Sequence, residues 1–309
     1  MSCGNPALIL GNNPATAAHL SVYSLPGRPT QFRAGHMRND PTLVGDAAKQ
    51  PVTVAANCLL VKNAGPNQNL TILCDAGSGL HLPAATRSKL GIPDRDLLVE
   101  NLAMLGVSLA DIDIFISSHP HWDHIGGILD ETGNLRLPKA HILLSRGAYQ
   151  QNMENPAIEG QPSSFIPGMP EKLQALKQAG RLTLLSGDPS GLGGEGITCN
   201  LLGDAVRFYF SGGHSECQMH AVFLTDAGGV VFGGDFFPTA WHVAPERYMP
   251  QFDRDPKQLA NEKELFLQRV RTGHWHISFY HDPQVAAARV LVGGPERYSS
   301  LIMGEEVRV

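Results

Sequence analysis

His119, His121, Asp123 and His124 stand together in the stretch SSHPHWDHIGG, and all four side chains are of types that bind divalent metals. With 13 histidines in the chain, a lone His is most often a surface or hydrogen-bonded core residue. A His-x-His-x-Asp-His run is different, arising by chance on the order of once in a thousand chains of this size and composition. His119 and His121 alternate by two and can turn toward one ion. Asp123 and His124 come a step later and most easily face a second. Four such ligands could also close a single site, whereas a catalytic ion takes roughly three protein ligands and keeps an open position. Two ions therefore need ligands from elsewhere.

Three later segments offer them. Ser211-Gly212-Gly213-His214, Gly233-Gly234-Asp235 and His281-Asp282 each follow a short apolar run. Any one alone is weak evidence. Together with the first cluster they make seven ligands, the set that two ions with a bridging carboxylate would use. Such a pair lowers the pKa of a shared water toward neutrality and polarises a carbonyl or phosphoryl oxygen. No Gly-x-Ser-x-Gly elbow occurs in the sequence, which argues against a serine hydrolase of the α/β type.

The elements that must position these residues are legible as apolar runs. β-prone runs cover 52–61 and 70–74, the second ending in Asp75-Ala76-Gly77-Ser78-Gly79. Residues 96–105 read as a helix closed by Gly106, and Ser108 to Asp111 as a capping box. The run 112–117 reads as a buried strand that delivers the chain into His119. Further strands are expected at 141–144, 181–185, 197–202, 206–210, 221–224, 230–232 and 277–280. Helices are expected at 171–178 and 256–271, with Leu259, Leu265, Phe266 and Val270 on one side of the latter. Strands in two groups with helices between and after them indicate an α/β architecture of helix-covered sheets.

In order and approximate spacing, His119, His121, Asp123, His124, His214, Asp235 and His281 resemble the metallo-β-lactamase superfamily over residues 57–283. Gly212-Gly213-His214-Ser215, the run from Gly233 through Thr239, His242, and Phe279-Tyr280-His281-Asp282-Pro283 are similar to one branch of it. That branch holds quorum-quenching N-acyl homoserine lactonases and methyl-parathion-hydrolase-like enzymes. The resemblance implies an αββα sandwich, two central mixed sheets flanked by helices, with metals at one edge. It implies that His119, His121 and His214 hold one ion, that Asp123, His124 and His281 hold another, and that Asp235 bridges them. Asp75 matches the family's Asp-x-Gly turn and would orient a ligand. Gln218 stands where relatives usually have a second His, with Cys217 in place of the usual Gly, which puts substrate fit there in question rather than metal binding. Catalytic roles fall to Asp123 and Asp235 as proton handlers and to His242 as a hydrogen-bond donor to substrate. For His242 a structural role beside Trp241 weighs equally. His36 is a candidate for a loop over the pocket, with a solvent-facing His as the commoner alternative. His274 and His276 read as structural and Cys217 as a small buried thiol. Phe236, Phe237, Trp241, Tyr248 and Phe252 read as core residues of which some wall an apolar pocket.

The expected cofactor is two divalent ions, zinc by default, with iron, manganese or cobalt open to the same ligands. The expected reaction is opening of a lactone or small ester; a phosphotriester, aryl ester or thioester is the alternative. A flavin-carrying di-iron protein is disfavoured, because it would replace one His by an acidic ligand and append a flavin domain.

Composition bounds the rest. The 309 residues are 42% hydrophobic and 17% charged with a formal charge of −5, a globular profile without the basic surface that nucleic acid requires. No apolar run reaches the ~18 residues of a membrane span. The start, MSCGNPALIL, lacks a signal-peptide pattern, and five scattered cysteines without a CxxC pair suit reduced thiols, so a cytoplasmic location is expected. Residues 1–18 are expected to form a loose arm and 19–309 a single hydrolase domain. The expected partner is a small-molecule substrate, with no nucleic acid and no membrane, and a homodimer open as the assembly.

Overall fold

The structure, a computed structural model, describes residues 5–10, 21–65, 69–157, 163–225, 228–290 and 298–302. Two seven-stranded sheets face each other. The first runs, in spatial order, Ala7–Leu10, Ser21–Leu25, Cys58–Ala64, Leu70–Cys74, Ile114–Ile116, His141–Ser145 and Leu182–Leu185. Its first four strands pair antiparallel and the rest parallel, as in Leu73 opposite Phe115 and Leu143 opposite Thr183. Parallel strands covered on both faces should be apolar throughout, and Ile114–Ile116 is wholly buried. The second sheet runs Ile197–Cys199, Gly203–Ser211, Gln218–Thr225, Gly228–Phe232, His276–Ser278, Val285–Val290 and Tyr298–Ile302. It is antiparallel except where Val231 pairs with Ile277. The main core lies between the sheets, from Leu60 and Phe115 on one side to Phe208 and Phe223 on the other. Helices cover the outer faces, which is the αββα order expected from the sequence.

The helix Pro256–Thr272 starts where Asp255 accepts the Gln258 amide and Pro256 fixes the first turn. Its buried stripe is Leu259, Glu262, Lys263, Phe266, Leu267 and Val270, and it closes a second core with Tyr209 and Trp275. Leu265 was expected on this stripe but is 43% exposed. At 100° per residue it falls outside the arc that positions 259, 263, 266 and 270 define. Glu262 and Lys263 take buried positions instead, because each satisfies backbone groups of a loop. Glu262 accepts the Gly212 and Gly213 amides at 2.8 and 3.0 Å, and Lys263 donates to the His242 and Arg247 carbonyls.

Other differences from the sequence reading have local causes. The run 52–61 is two strands. Pro51–Val54 pairs with Thr30–Arg33 as a separate hairpin, and Cys58–Ala64 belongs to the first sheet. The break occurs because the Ala55 and Asn57 amides bond the carbonyls of His281 and Tyr280, tying this corner to the second sheet. Within residues 1–18, expected as a loose arm, Ala7–Leu10 is an edge strand on Ser21–Leu25; residues 1–4 and 11–18 lie outside the described residues. The last strand expected at 277–280 is His276–Ser278, and the chain leaves the sheet before reaching His281. The Gly-rich turn at 187–196 contains a 3-10 turn, Pro189–Gly193, capped by Asp188. Cys58, Cys74, Cys199 and Cys217 are free thiols, and Cys3 lies outside the described residues. No helix among the described residues is long and apolar enough to cross a membrane.

Candidate metal centre

All the candidate ligands sit just past the carboxyl ends of strands. Ile114–Ile116 leads to His119 and His121, and the one-turn helix Trp122–Ile125 carries Asp123 and His124. Gly203–Ser211 leads to His214, Gly228–Phe232 to Asp235, and His276–Ser278 to His281. The turn after His124 is pressed onto the loop after Cys74. Ala76 N donates to His124 O at 2.7 Å and Gly127 N to Gly77 O at 2.8 Å. A Cβ on Gly127 would stand 1.9 Å from Ala76 O, so only glycine permits this approach. Gly213 is constrained likewise, its Cβ position lying 2.5 Å from the Leu259 backbone.

The structure brings all seven predicted side chains together. The Nε2 of His119 lies 2.8 Å from Nδ1 of His121, which lies 3.4 Å from Nε2 of His214. On the other side, Nε2 of His281 is 3.6 Å and Nε2 of His124 is 3.9 Å from Oδ2 of Asp123. Asp235 stands between the two trios. Its Oδ2 is 3.3 Å from His214, and its Oδ1 is 3.2 Å from His124 and 3.0 Å from His281. Ligand atoms within 4.8 Å of one another group as His119–His121–His214, as Asp123–His124–His281, and as His119–His124–Asp235.

The donor set fits divalent ions. With metal–nitrogen bonds of about 2.0–2.1 Å, ligand atoms around a tetrahedral ion lie ~3.3 Å apart, and the separations here run from 2.8 to 3.9 Å. Nε2 of His124 and Oδ1 of Asp235 are buried and have no hydrogen-bond partner among the described residues, although only 3.2 Å apart. Buried polar atoms left unpaired are costly, and a cation between them is what these two lack.

Second partners fix four of the five rings so that the inner nitrogen is a lone-pair donor. Nδ1 of His214 donates to Asp253 Oδ1 at 2.7 Å, and Nδ1 of His281 donates to the Ala55 carbonyl at 2.7 Å. Nδ1 of His124 donates to Asp75 Oδ2 at 2.7 Å. The Ser118 hydroxyl also donates to that oxygen at 2.7 Å and accepts from His119 Nδ1 at 3.0 Å. Asp75 thus orients two rings at once, through a carboxylate whose other oxygen takes the Ser118 amide. It adopts φ +50°, a left-handed conformation that Asp tolerates and these bonds hold. Tyr280 stacks on His124 with ring centres 4.1 Å apart, and its hydroxyl donates to the Asp123 carbonyl at 2.6 Å.

The electrostatics divide the cluster. Burial, and then the neighbouring imidazoles, push His119 and His121 well below the ordinary histidine value. Burial alone would also lower His124 and His281, but the carboxylates of Asp235 and Asp123 overcome it and raise both. Burial opposes ionisation of Asp235 too, yet His281, His124 and His214 around it hold its carboxyl well below the usual range. The pocket therefore keeps the Asp235 carboxylate charged and draws positive charge toward His124 and His281.

His242 is outside the cluster, and the role expected for it does not fit its surroundings. It is 1% exposed; its Nε2 donates to the Met37 carbonyl at 2.8 Å and its Nδ1 accepts from Thr239 at 2.7 Å. A hydrogen bond to substrate would break one of these. His36 is absent from the cavity wall, where its neighbour Met37 stands instead. Gln218 donates from Nε2 to the Gly233 carbonyl at 2.8 Å. His220 shares that carbonyl at 3.1 Å, accepts from Ser211 at 2.8 Å, and stacks on Phe236. Cys217, with φ +55°, sets its thiol 3.6 Å from the Gly187 carbonyl, away from the ligand atoms. Of the aromatics after Asp235, Phe236 and Phe237 are core, and Phe252 lines the site. Sequence reasoning missed Asp253 and Glu262. No spacing rule marks Asp253, but Glu262 interrupts an apolar helical stripe, which was a signal.

A cavity of about 60 Å³ lies against His121, Asp123, His214, Asp235 and His281, with Phe32, Met37, Trp122, Met249 and Phe252 as its apolar wall. The paired strands Thr30–Arg33 and Pro51–Val54 supply Phe32 to that wall, where it packs with Phe252 on a small core of Met37, Val54 and Met249. A wider cleft of about 480 Å³ adjoins the cavity, sharing His121, Ser164, His214 and Phe252.

A family model described as the metallo-beta-lactamase superfamily matches residues 52–268. Among solved structures, a probable metal-dependent hydrolase from Staphylococcus aureus is 19% identical, with a TM-score of 0.72 over 94% of this chain and 98% of that one. AidC, a dizinc quorum-quenching lactonase in complex with a product, is 19% identical with a TM-score of 0.68, covering 99% of both chains. AbOPH, a hydrolase in the beta-lactamase superfamily, is 16% identical with a TM-score of 0.69, covering 100% of both. The comparison with curated proteins finds no match.

Proposed function

The chain belongs to the metallo-beta-lactamase superfamily and is a hydrolase of it, and from that premise we propose that it uses two divalent ions, zinc by default, to open a lactone or a small ester. The observation that carries this reading is the placement of Asp235, one carboxylate oxygen toward His214 and the other toward His124 and His281. His119, His121 and His214 would hold one ion and Asp123, His124 and His281 the other, with Asp235 between them. Bound ions would supply Lewis acidity toward the carbonyl oxygen and make water acidic enough to ionise near neutral pH.

The chain's own residues do the remaining work. Asp253, Asp75, Ser118 and the Ala55 carbonyl hold the imidazoles in the tautomers that ligation needs. Asp123 is the more open of the two carboxylates, its side chain 16% exposed against 6% for Asp235. It is placed to hold the proton released by attacking water and pass it to the leaving alkoxide. Phe32, Met37 and Phe252 exclude water from one side of the reacting carbonyl and offer an apolar seat for its substituent. The dizinc lactonase AidC, similar in fold, supports lactones as the first substrates to try.

The test is a panel of lactones, aryl esters, phosphotriesters and thioesters on metal-loaded protein, with chelator controls. Lactone or ester opening that chelator abolishes is the expected result. Turnover of phosphotriesters or thioesters alone would replace the substrate assignment, and activity indifferent to chelator would overturn the metal requirement.

A further inference from the structure

The cavity and the cleft that meet at His121 and His214 differ in chemistry. Away from the ligand cluster the smaller is walled by apolar side chains, whereas the wider cleft sets Gln151, Asn155, Ser163, Ser215 and Arg254 beside Pro156, Ala157 and Phe165. Some of these polar groups have hydrogen-bonding capacity left unused among the described residues. The Ser215 hydroxyl is 2% exposed and has no hydrogen-bond partner among the described residues. Arg254 directs Nε and one terminal nitrogen at the Gly212 carbonyl, 3.2 and 2.9 Å away. That anchors its guanidinium beside the strand end that carries His214, with the other terminal nitrogen in no hydrogen bond among the described residues. No carboxylate lies within ion-pair distance of it among those residues. Glu262, which it influences through space, is committed to the Gly212 and Gly213 amides.

We propose that this cleft is an anion subsite, with Arg254 as its charge, the Ser215 hydroxyl as a hydrogen-bond donor and Gln151 on its wall, and that the substrate is a lactone or ester bearing a carboxylate remote from the scissile bond. The inference rests on the metal-dependent hydrolase reading above and deepens it. The apolar cavity holds the small substituent on one side of the reacting carbonyl. The cleft, several times larger, holds the polar part on the other. A guanidinium pre-positioned by its own backbone contacts loses less freedom on pairing with a carboxylate than a free one. In a chain of net charge −5, a cation held at the mouth of the site also favours approach of an anionic substrate.

Product-like acids provide the test. Linear dicarboxylates from succinate to suberate, and monocarboxylates of equal length, are titrated calorimetrically into metal-loaded protein. One or more dicarboxylates should bind roughly twofold to fivefold more tightly than the matched monocarboxylate, the worth of one partly exposed charge pair. Arg254→Gln and Gln151→Glu should each abolish that preference and leave monocarboxylate binding unchanged. Should Arg254→Gln disturb the His214 loop and weaken both series, Gln151→Glu decides, since Gln151 lies on the separate helix Arg146–Glu154. Equal binding of both series by the wild type, or a preference surviving Gln151→Glu, would overturn the subsite. Metal analysis of the same samples reads the parent proposal: fewer than two ions per chain counts against that proposal and leaves the dicarboxylate comparison standing.

Discussion

Replacing Asp253 by Asn removes a single charge and almost no volume, yet it should loosen one ion and leave the other. The Asp253 side chain is 1% exposed and accepts two hydrogen bonds, from His214 Nδ1 at 2.7 Å and from the Met249 amide at 2.6 Å. Both partners are donors. An asparagine can accept from one of them but must turn its NH2 toward the other. Facing Met249, the NH2 leaves a buried donor unsatisfied, at about 1–3 kcal/mol of stability. Facing His214, it drives the ring proton to Nε2, the atom that lies 3.3 Å from Asp235 and 3.4 Å from His121. A protonated Nε2 cannot ligate. Changes to residues that orient a metal-bound histidine typically cost 10- to 100-fold in affinity, or about 1.4–2.7 kcal/mol. Competition of the purified variant against a graded series of chelators, with metal content read at each step, should show weakening of the first ion released and little change in the second. Two ions held as tightly as in the wild type would refute the argument that Asp253 sets the His214 tautomer.

Further outcomes follow from the same geometry. Asp235→Ala and His281→Ala should each lose an ion and nearly all hydrolysis, whereas His274→Ala should not; full metal occupancy in the Asp235 variant would remove its bridging role. His242→Ala should lower stability by about 2–4 kcal/mol, since the Met37 carbonyl and the Thr239 hydroxyl both lose a buried partner. Its kcat at saturating metal should stay near wild type, and a loss of several hundredfold would restore His242 to the chemistry. His220 is pushed down to about 3 by burial. Between about 3 and the unfolded value near 6.5 the unfolded chain holds the extra proton, so this histidine's contribution is full above about 6.5 and is lost as pH falls. In urea melts with chelator present, wild type should lose about 3 kcal/mol more than His220→Gln between pH 7 and about 4.5; equal losses would show that His220 is not the group held neutral.

The most local features were the most legible. The capping box at Ser108 appears as expected, with the Asp111 carboxylate accepting from the Ser108 amide and hydroxyl, because both partners lie within one turn. The strand Leu70–Cys74 and the helix beginning after Asp96 were read within a residue, since apolar period and a capping side chain suffice to define them. Short or half-polar strands were not. Ser21–Leu25 is half polar and Val285–Val290 is alanine-rich, so neither reads as a strand, and their strand state comes from neighbours across the sheet. The break at residues 55–57 was likewise invisible, because the groups that cause it belong to Tyr280 and His281, over two hundred positions away.

By itself the sequence determined which atoms are available to hold metal and that each arrives just past a strand, because ligand chemistry belongs to the side chain and an apolar run is a local property. Tertiary structure alone decided how those atoms face one another. It turned the two oxygens of Asp235 to opposite trios, gave His214 the support of Asp253, occupied both nitrogens of His242 with Met37 and Thr239, and set an apolar cavity beside a wider cleft of mixed polarity. The physical reason is that tautomer, orientation and the surroundings of a charge are fixed by partners that packing supplies, and those partners carry no mark of their pairing in the linear chain.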